Sequence, residues 1–420
     1  MRGTALNRTT RRRFLKYAVA AGTALSLPSL AIAQDDFERR RALRNLDRSG
    51  NTLAALEAID ANEPILSGDT AYSLQLAIME YERIAAAGGW GELPRETYGL
   101  IGGAESRVVS RLRDRLAVSG DFVGEMSRKD IFDDALDSAL RHFQARHGLI
   151  LSGKVDEETF YALNTPVEYR LQQLKLNAIR VEALSGSLSD RYVVVNIPAA
   201  SIEAIEESQV VQRHNAVVGR IDRQTPILQS KIHEINFNPY WHVPKSIIQK
   251  DIITYMNEDP NYLANYNIKI YDSAGSELDP LQIDWTTDEA VNYAFRQEPG
   301  AENAMGHVKI NFYNPHSVYL HDTPTKSLFG ENRRFHSSGC VRVDNVEQFV
   351  AWILRFNEDW DPIAIQAVFA TNDRVDVAVA NPAPILTTYI SAWANRLGTV
   401  SFRDDVYEYD RFGVVDFASI

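Results

Sequence analysis

Tyr319-Leu320-His321-Asp322-Thr323 and Ser337-Ser338-Gly339-Cys340-Val341-Arg342 decide the reading of this chain, with fifteen residues standing between His321 and Ser337. Cys340 is the only cysteine in 420 residues, so it cannot close an internal disulfide and reads as a nucleophile. A thiol attacks as the thiolate and needs a base or a local field to lose its proton. The run His316-Ser317-Val318-Tyr319-Leu320 places apolar residues at 318 and 320. On a strand this puts His321 on the opposite face, where a strand-end residue can look into a cleft. His321 is the expected base, and His336, four residues before Cys340, is its rival. Val346, Phe349, Val350 and Ile353 then repeat at helical spacing. A cysteine near that helix start would gain free N–H groups and the helix dipole, and Gly339 would let the backbone close around an oxyanion.

The compartment sharpens this reading. Thr10-Arg11-Arg12-Arg13-Phe14-Leu15-Lys16, an apolar run from Tyr17 to Leu30 and Ala31-Ile32-Ala33 before Gln34 read as a twin-arginine signal peptide over residues 1–33 with its cleavage motif. An exported chain faces an oxidising space, the expected one being the periplasm, where cysteines are commonly paired. Loss of residues 1–33 removes six basic and no acidic residues, taking the formal charge from −12 to −18. Such an acidic chain is a poor ligand for nucleic acid phosphates. No later apolar run reaches spanning length, so the mature form is expected to have no membrane span. No histidine or cysteine cluster points to a metal, and no cofactor is expected.

Residues 34–124 carry helical periodicity (Leu53, Leu56, Ile59, then Leu74, Ile78, Tyr81), broken by Gly88-Gly89-Trp90-Gly91, and read as a helical scaffold completed by residues 166–190. Residues 125–165 form a compact unit. Ala135, Leu136, Ala139, Leu140 and Phe143 are expected on one helical face, Ser152-Gly153 in a turn, and Asp156 as the N-cap of a second helix. Phe143-Gln144-Ala145-Arg146-His147-Gly148-Leu149, Gly153-Lys154-Val155-Asp156, Thr159 and Ala162-Leu163-Asn164 resemble the small helical peptidoglycan-binding module of wall enzymes. The five-residue spacing of His142 and His147 does not suit two metal ligands on one face. From Arg191 the pattern turns to strand, with runs at 191–197, 210–219, 232–237, 308–312 and 318–321. Residues 191–375 are thus expected to form a mainly-β catalytic domain, interrupted by a helix-rich lid or separate packing unit at 245–300. Asn381-Pro382-Ala383-Pro384 is read within a C-terminal extension, 376–420. The fold class expected is multidomain α+β.

His321, the fifteen-residue gap, Ser337, Gly339, Cys340 and Val341 resemble the signature of the L,D-transpeptidases. Ser338 stands where the general motif has histidine, and Arg342 where it has asparagine, as in the large multidomain Gram-negative branch. Asn238-Pro239-Tyr240-Trp241-His242-Val243-Pro244 and Phe402-Arg403-Asp404-Asp405-Val406-Tyr407 fit that branch too. The resemblance implies that Cys340 takes the acyl group of a tetrapeptide stem with loss of D-alanine, His321 acting as base and acid. It implies transfer to a diaminopimelate amine of a second stem, giving a 3→3 cross-link, and acylation of Cys340 by carbapenems. Protein anchoring and hydrolysis remain open as fates of the same thioester, and a non-catalytic wall-binding protein is the contrasting reading. Arg342 is a candidate for a substrate carboxylate, with a salt bridge to Asp344 as the alternative; Ser338, Tyr240 and Trp241 are candidate substrate contacts.

Overall fold

The computed structural model describes residue 59 and residues 62–124 and 129–415. The expected signal at 1–33 and the first periodic run at 53–56 lie outside the described residues. Three packed units follow: a helical scaffold, a small helical module and a β domain that carries an inserted α/β unit.

Helix α1 (Gly68–Ala86) begins at Ser67, whose hydroxyl accepts from the Thr70 amide, an N-cap that satisfies one orphan donor. It ends where Gly88 and Gly89 take positive φ (98° and 66°) and the Gly89 amide reaches back to the Ile84 carbonyl. α1 packs with α5 (Val167–Ser185), and Leu74, Ala77, Tyr81, Leu174, Ala178 and Val181 share one core. The scaffold is thus completed from across the intervening module. α2 (Arg107–Val118), α3 (Asp134–Arg146) and α4 (Glu157–Asn164) make that module. Leu136, Leu140 and Phe143 of α3 are fully buried against Val109, Leu112 and Leu116 of α2, each contributing about 1.5–3 kcal/mol by burial. The expected boundary at 125 therefore moves upstream, because α2 belongs to the core of α3 and α4 rather than to the scaffold. Ala135, expected on the buried face, is exposed. Asp156 caps α4 as expected, accepting from the Thr159 amide at 2.9 Å. His142 turns to Asp121 (2.8 Å), while His147 bonds the Phe143 carbonyl and stacks on the Phe143 ring.

The β domain opens with β1 (Arg191–Asn196), β2 (Ser201–Glu206), β3 (Gln209–Gly219) and β4 (Leu228–Phe237). The inserted unit holds β5 (Trp241–His242), β6 (Ile268–Tyr271), β7 (Glu277–Leu278) and β8 (Ala294–Gln297). β9 (Val308–Phe312), β10 (Leu320–His321), β11 (Phe335–Ser337), β12 (Val341–Val343) and β13 (Val375–Thr388) complete the main domain. Nine of these strands form one sheet in the order β11-β3-β12-β10-β9-β4-β13-β1-β2, and β2 returns to pair with β3, so the sheet curls back on itself. Val193 and Val195 of β1 enter one core, Tyr192 and Val194 the core shared with the scaffold helices. Burial on both faces explains why this strand is β-branched without polar alternation.

Two expectations are corrected here. Residues 376–388 are not an appendage, because β13 runs between β4 and β1 in the sheet. Prolines such as Pro382 and Pro384 are uncommon inside a central strand, because they cannot donate to the ladder. The strand accommodates them through a register irregularity between Ala378 and Ala383, and its pairing with β1 begins only at Ile385, beyond both prolines. The insertion is not merely helix-rich: β5-β8-β6-β7 form a second sheet, which packs with the helical stretch through 245–258 around Ile248, Ile252, Ile270 and Phe295.

Candidate active site

Cys340 lies in the turn between β11 and β12, and His321 ends β10, the parallel neighbour of β12. Ser337 clamps the turn: its hydroxyl accepts from the Gly339 amide at 3.2 Å and donates to the Cys340 carbonyl at 2.5 Å. Gly339 needs its φ of +109°, which other residues rarely adopt. The Gly339 carbonyl accepts from the Thr225 hydroxyl (2.9 Å), and Thr225 is held in turn by the Tyr407 hydroxyl. The C-terminal segment thus buttresses the nucleophile's loop.

This geometry corrects two expectations. The helix α6 (Val346–Leu354) starts after β12 and Asn345, six residues past Cys340, so its N-terminus does not hold the thiol. The Gly339 N–H is spent on Ser337, which leaves the glycine a conformational role. Among the described residues the amide of Cys340 has no hydrogen-bond partner, which makes it the donor available to an oxyanion.

His321 is buried, and its Nδ1 lies 2.5 Å from the Asp322 carbonyl. A carbonyl only accepts, so Nδ1 carries the hydrogen and Nε2 keeps the lone pair that can take a proton. The Asp322 carboxylate accepts from the His307 amide (3.0 Å) and from Lys326, pinning the end of the strand. His336, the rival base, is exposed and bonds Glu331 at 2.7 Å, outside this cluster.

Sequence reasoning missed Tyr319, Lys309, Arg223 and Asp251. Tyr319 neighbours Cys340, with its hydroxyl and its backbone both acting on the thiol, and Trp241 lies close enough to act on that hydroxyl. Lys309 Nζ sits 4.5 Å from the centre of the Tyr319 ring. Period-two spacing from His321 was the available signal for Tyr319. Tyr240 packs between Arg296 and Arg374, each 4.4 Å from its ring. The charge that acts on Arg342 is that of Cys340 rather than Asp344. Arg223 grips Asp251 of the inserted unit with two bonds (2.5 and 2.9 Å) and donates to Ser338 at 2.9 Å, tying that unit to the residue two before the nucleophile.

Burial pushes the Cys340 thiol up, opposed by the Tyr319 hydrogen bonds and by the charges of Lys309 and Arg342. Burial, with Arg342 and Lys309 adding to it, lowers His321 to about 3. The resting pair is therefore neutral thiol and neutral imidazole. Burial also holds His214 down at about 4 and His147 well below 6.5. These groups resist protonation only when folded, so the stability they confer is complete above about pH 6.5 and is lost as the pH falls toward their folded values. Each titrating histidine contributes a slope of up to about 1.4 kcal/mol per pH unit. The urea midpoint is expected to fall between pH 7 and pH 5, a window above most carboxylates, and an unchanged midpoint would contradict the burial of these rings.

Residues 190–377 match the L,D-transpeptidase catalytic domain family and residues 106–163 a peptidoglycan binding domain family. A candidate L,D-transpeptidase of Haemophilus influenzae is 32% identical over 241 residues, 57% of this chain and 48% of that protein. The match thus spans about half the length of that curated relative. Among solved structures, the L,D-transpeptidase from Xylanimonas cellulosilytica is similar over 69% of this chain and 98% of its own, at 15% identity and a TM-score of 0.23. The L,D-transpeptidase from Stackebrandtia nassauensis is similar over 72% and 98%, at 13% identity and a TM-score of 0.25.

Proposed function

We propose that this chain, whose residues 190–377 match the L,D-transpeptidase catalytic domain family and residues 106–163 a peptidoglycan binding domain family, transfers acyl groups between peptidoglycan stem peptides through a thioester on Cys340. The observation that carries the reading is the pairing of β10 with β12, which sets His321, with Nε2 unprotonated, in the strand beside the nucleophile's loop. Cys340 Sγ attacks the carbonyl between diaminopimelate and the terminal D-alanine as its proton passes to His321 Nε2. Because both groups rest neutral, proton transfer accompanies bond formation rather than preceding it. The Cys340 amide receives the oxyanion. Collapse breaks the C–N bond, the imidazolium proton goes to the leaving nitrogen, and D-alanine departs. A second stem's diaminopimelate amine then attacks the thioester, its proton passes through His321 to the departing thiolate, and a 3→3 cross-link results.

Both domains fit action on the wall, outside the cytoplasm, and among the described residues no helix is long and apolar enough to cross a membrane. Delivery to the periplasm by the twin-arginine signal at 1–33 belongs to the same proposal, as does acylation of Cys340 by carbapenems. Incubation with purified disaccharide-tetrapeptide tests it. Dimers linked 3→3 are the expected product. D-alanine release without dimers would make the protein a carboxypeptidase or one that awaits a different amine, and neither product would leave wall binding as its activity.

A further inference from the structure

Register places three residues in a row across adjacent strands. His321 lies opposite Lys309 of β9 in the antiparallel pair and beside Arg342 of β12 in the parallel pair. Side chains at directly opposed positions share a face, so one cation flanks the histidine on each side, with Cys340 two residues before Arg342. Among the described residues neither Lys309 nor Arg342 has a carboxylate within ion-pair distance. The Nε of Arg342 is buried with no acceptor. Burying positive charge without an anion is costly, and an unsatisfied buried donor calls for an explanation. The carboxylates whose charge reaches Lys309 are those of Glu234 and Asp376.

We infer that Lys309 and Arg342 form a seat for the carboxylate of the residue that leaves, so that the donor is recognised by a free C-terminus one residue beyond the bond that breaks. This rests on the acyl-transfer reading above. In a donor ending in D-alanine, the terminal carboxylate is two covalent bonds from the nitrogen that departs, and so stays close to Cys340 and His321 during attack. An extra C-terminal residue would carry that charge about 3.6 Å further along the chain, beyond a seat built around the histidine. The arginine fork suits two-point capture of a carboxylate and the lysine supplies a point charge.

The test compares two donors on the full mature chain: disaccharide-tetrapeptide with a free terminal carboxylate, and the same compound ending in D-alanine amide. The measured quantity is kcat/KM for acylation of Cys340, followed by intact mass. The free acid is expected to win by about tenfold to a hundredfold, the range for a hydrogen-bonded charge. Lys309→Met keeps the stem against Tyr319 and removes the charge; the preference is expected to shrink by about tenfold, through KM. Lys309→Arg is expected to restore part of it. Equal loss on both donors with the preference intact would overturn the seat and leave Lys309 a role on the thiol alone. A wild-type enzyme acylated equally by both donors would overturn it too. No acylation by either donor would remove the parent reading with it, which distinguishes the two failures.

Discussion

Cys340→Ala removes acyl transfer: D-alanine release and dimer formation are expected to fall by at least about 10⁴-fold, since taking away a nucleophile that acts jointly with its base removes the catalysis of both. Folding is expected to survive, because Cys340 is only half-buried and its loop is held by Ser337, Thr225 and the φ of Gly339 rather than by the thiol. Loss of activity with an unchanged melting temperature is the predicted pair of results. Retained turnover would place the chemistry elsewhere.

Asp410→Ala is expected to destabilise the protein by about 3–5 kcal/mol, the usual effect of deleting one member of a buried ion pair. Asp410 is fully buried; it bonds Arg180 of α5 at 2.5 Å, the Ser391 hydroxyl at 2.5 Å and the Gln173 amide at 3.1 Å. One carboxylate thereby joins the C-terminal segment to the scaffold helix, beside Tyr389, whose hydroxyl bonds the Tyr407 amide. Urea unfolding at pH 7 reads the effect directly, and a loss under about 1 kcal/mol would contradict the burial of this pair. The variant also separates two ideas of residues 389–415: a dispensable tail would tolerate the change, whereas a strap behind the Gly339 turn would not.

Much of the site was legible because its signals are local. The lone thiol, the gap back to His321 and the alternation around Val318 and Leu320 can be read from contiguous residues, as can the Asp156 cap. What was not legible depends on register between distant segments. Nothing near Lys309 in sequence says that it will stand opposite His321, and the partners of Arg223, Asp251 and Ser338, come from two separate elements. The place of residues 376–388 in the sheet was not legible because the pairing there is irregular: Pro382 falls in the register break with β4, Pro384 pairs with β4 alone, and β1 joins only from Ile385. The helix after Cys340 was foreseen, but not the short strand β12 before it, and that strand moves the helix dipole away from the thiol.

Intact mass spectrometry with peptide mapping, after brief incubation of the mature chain with disaccharide-tetrapeptide, tests the central claim most directly. The account predicts a mass increase equal to the donor less D-alanine, carried on the Cys340 peptide and removed by hydroxylamine as a thioester. An unmodified Cys340 while D-alanine is still being released, or an adduct on any other residue, would contradict it.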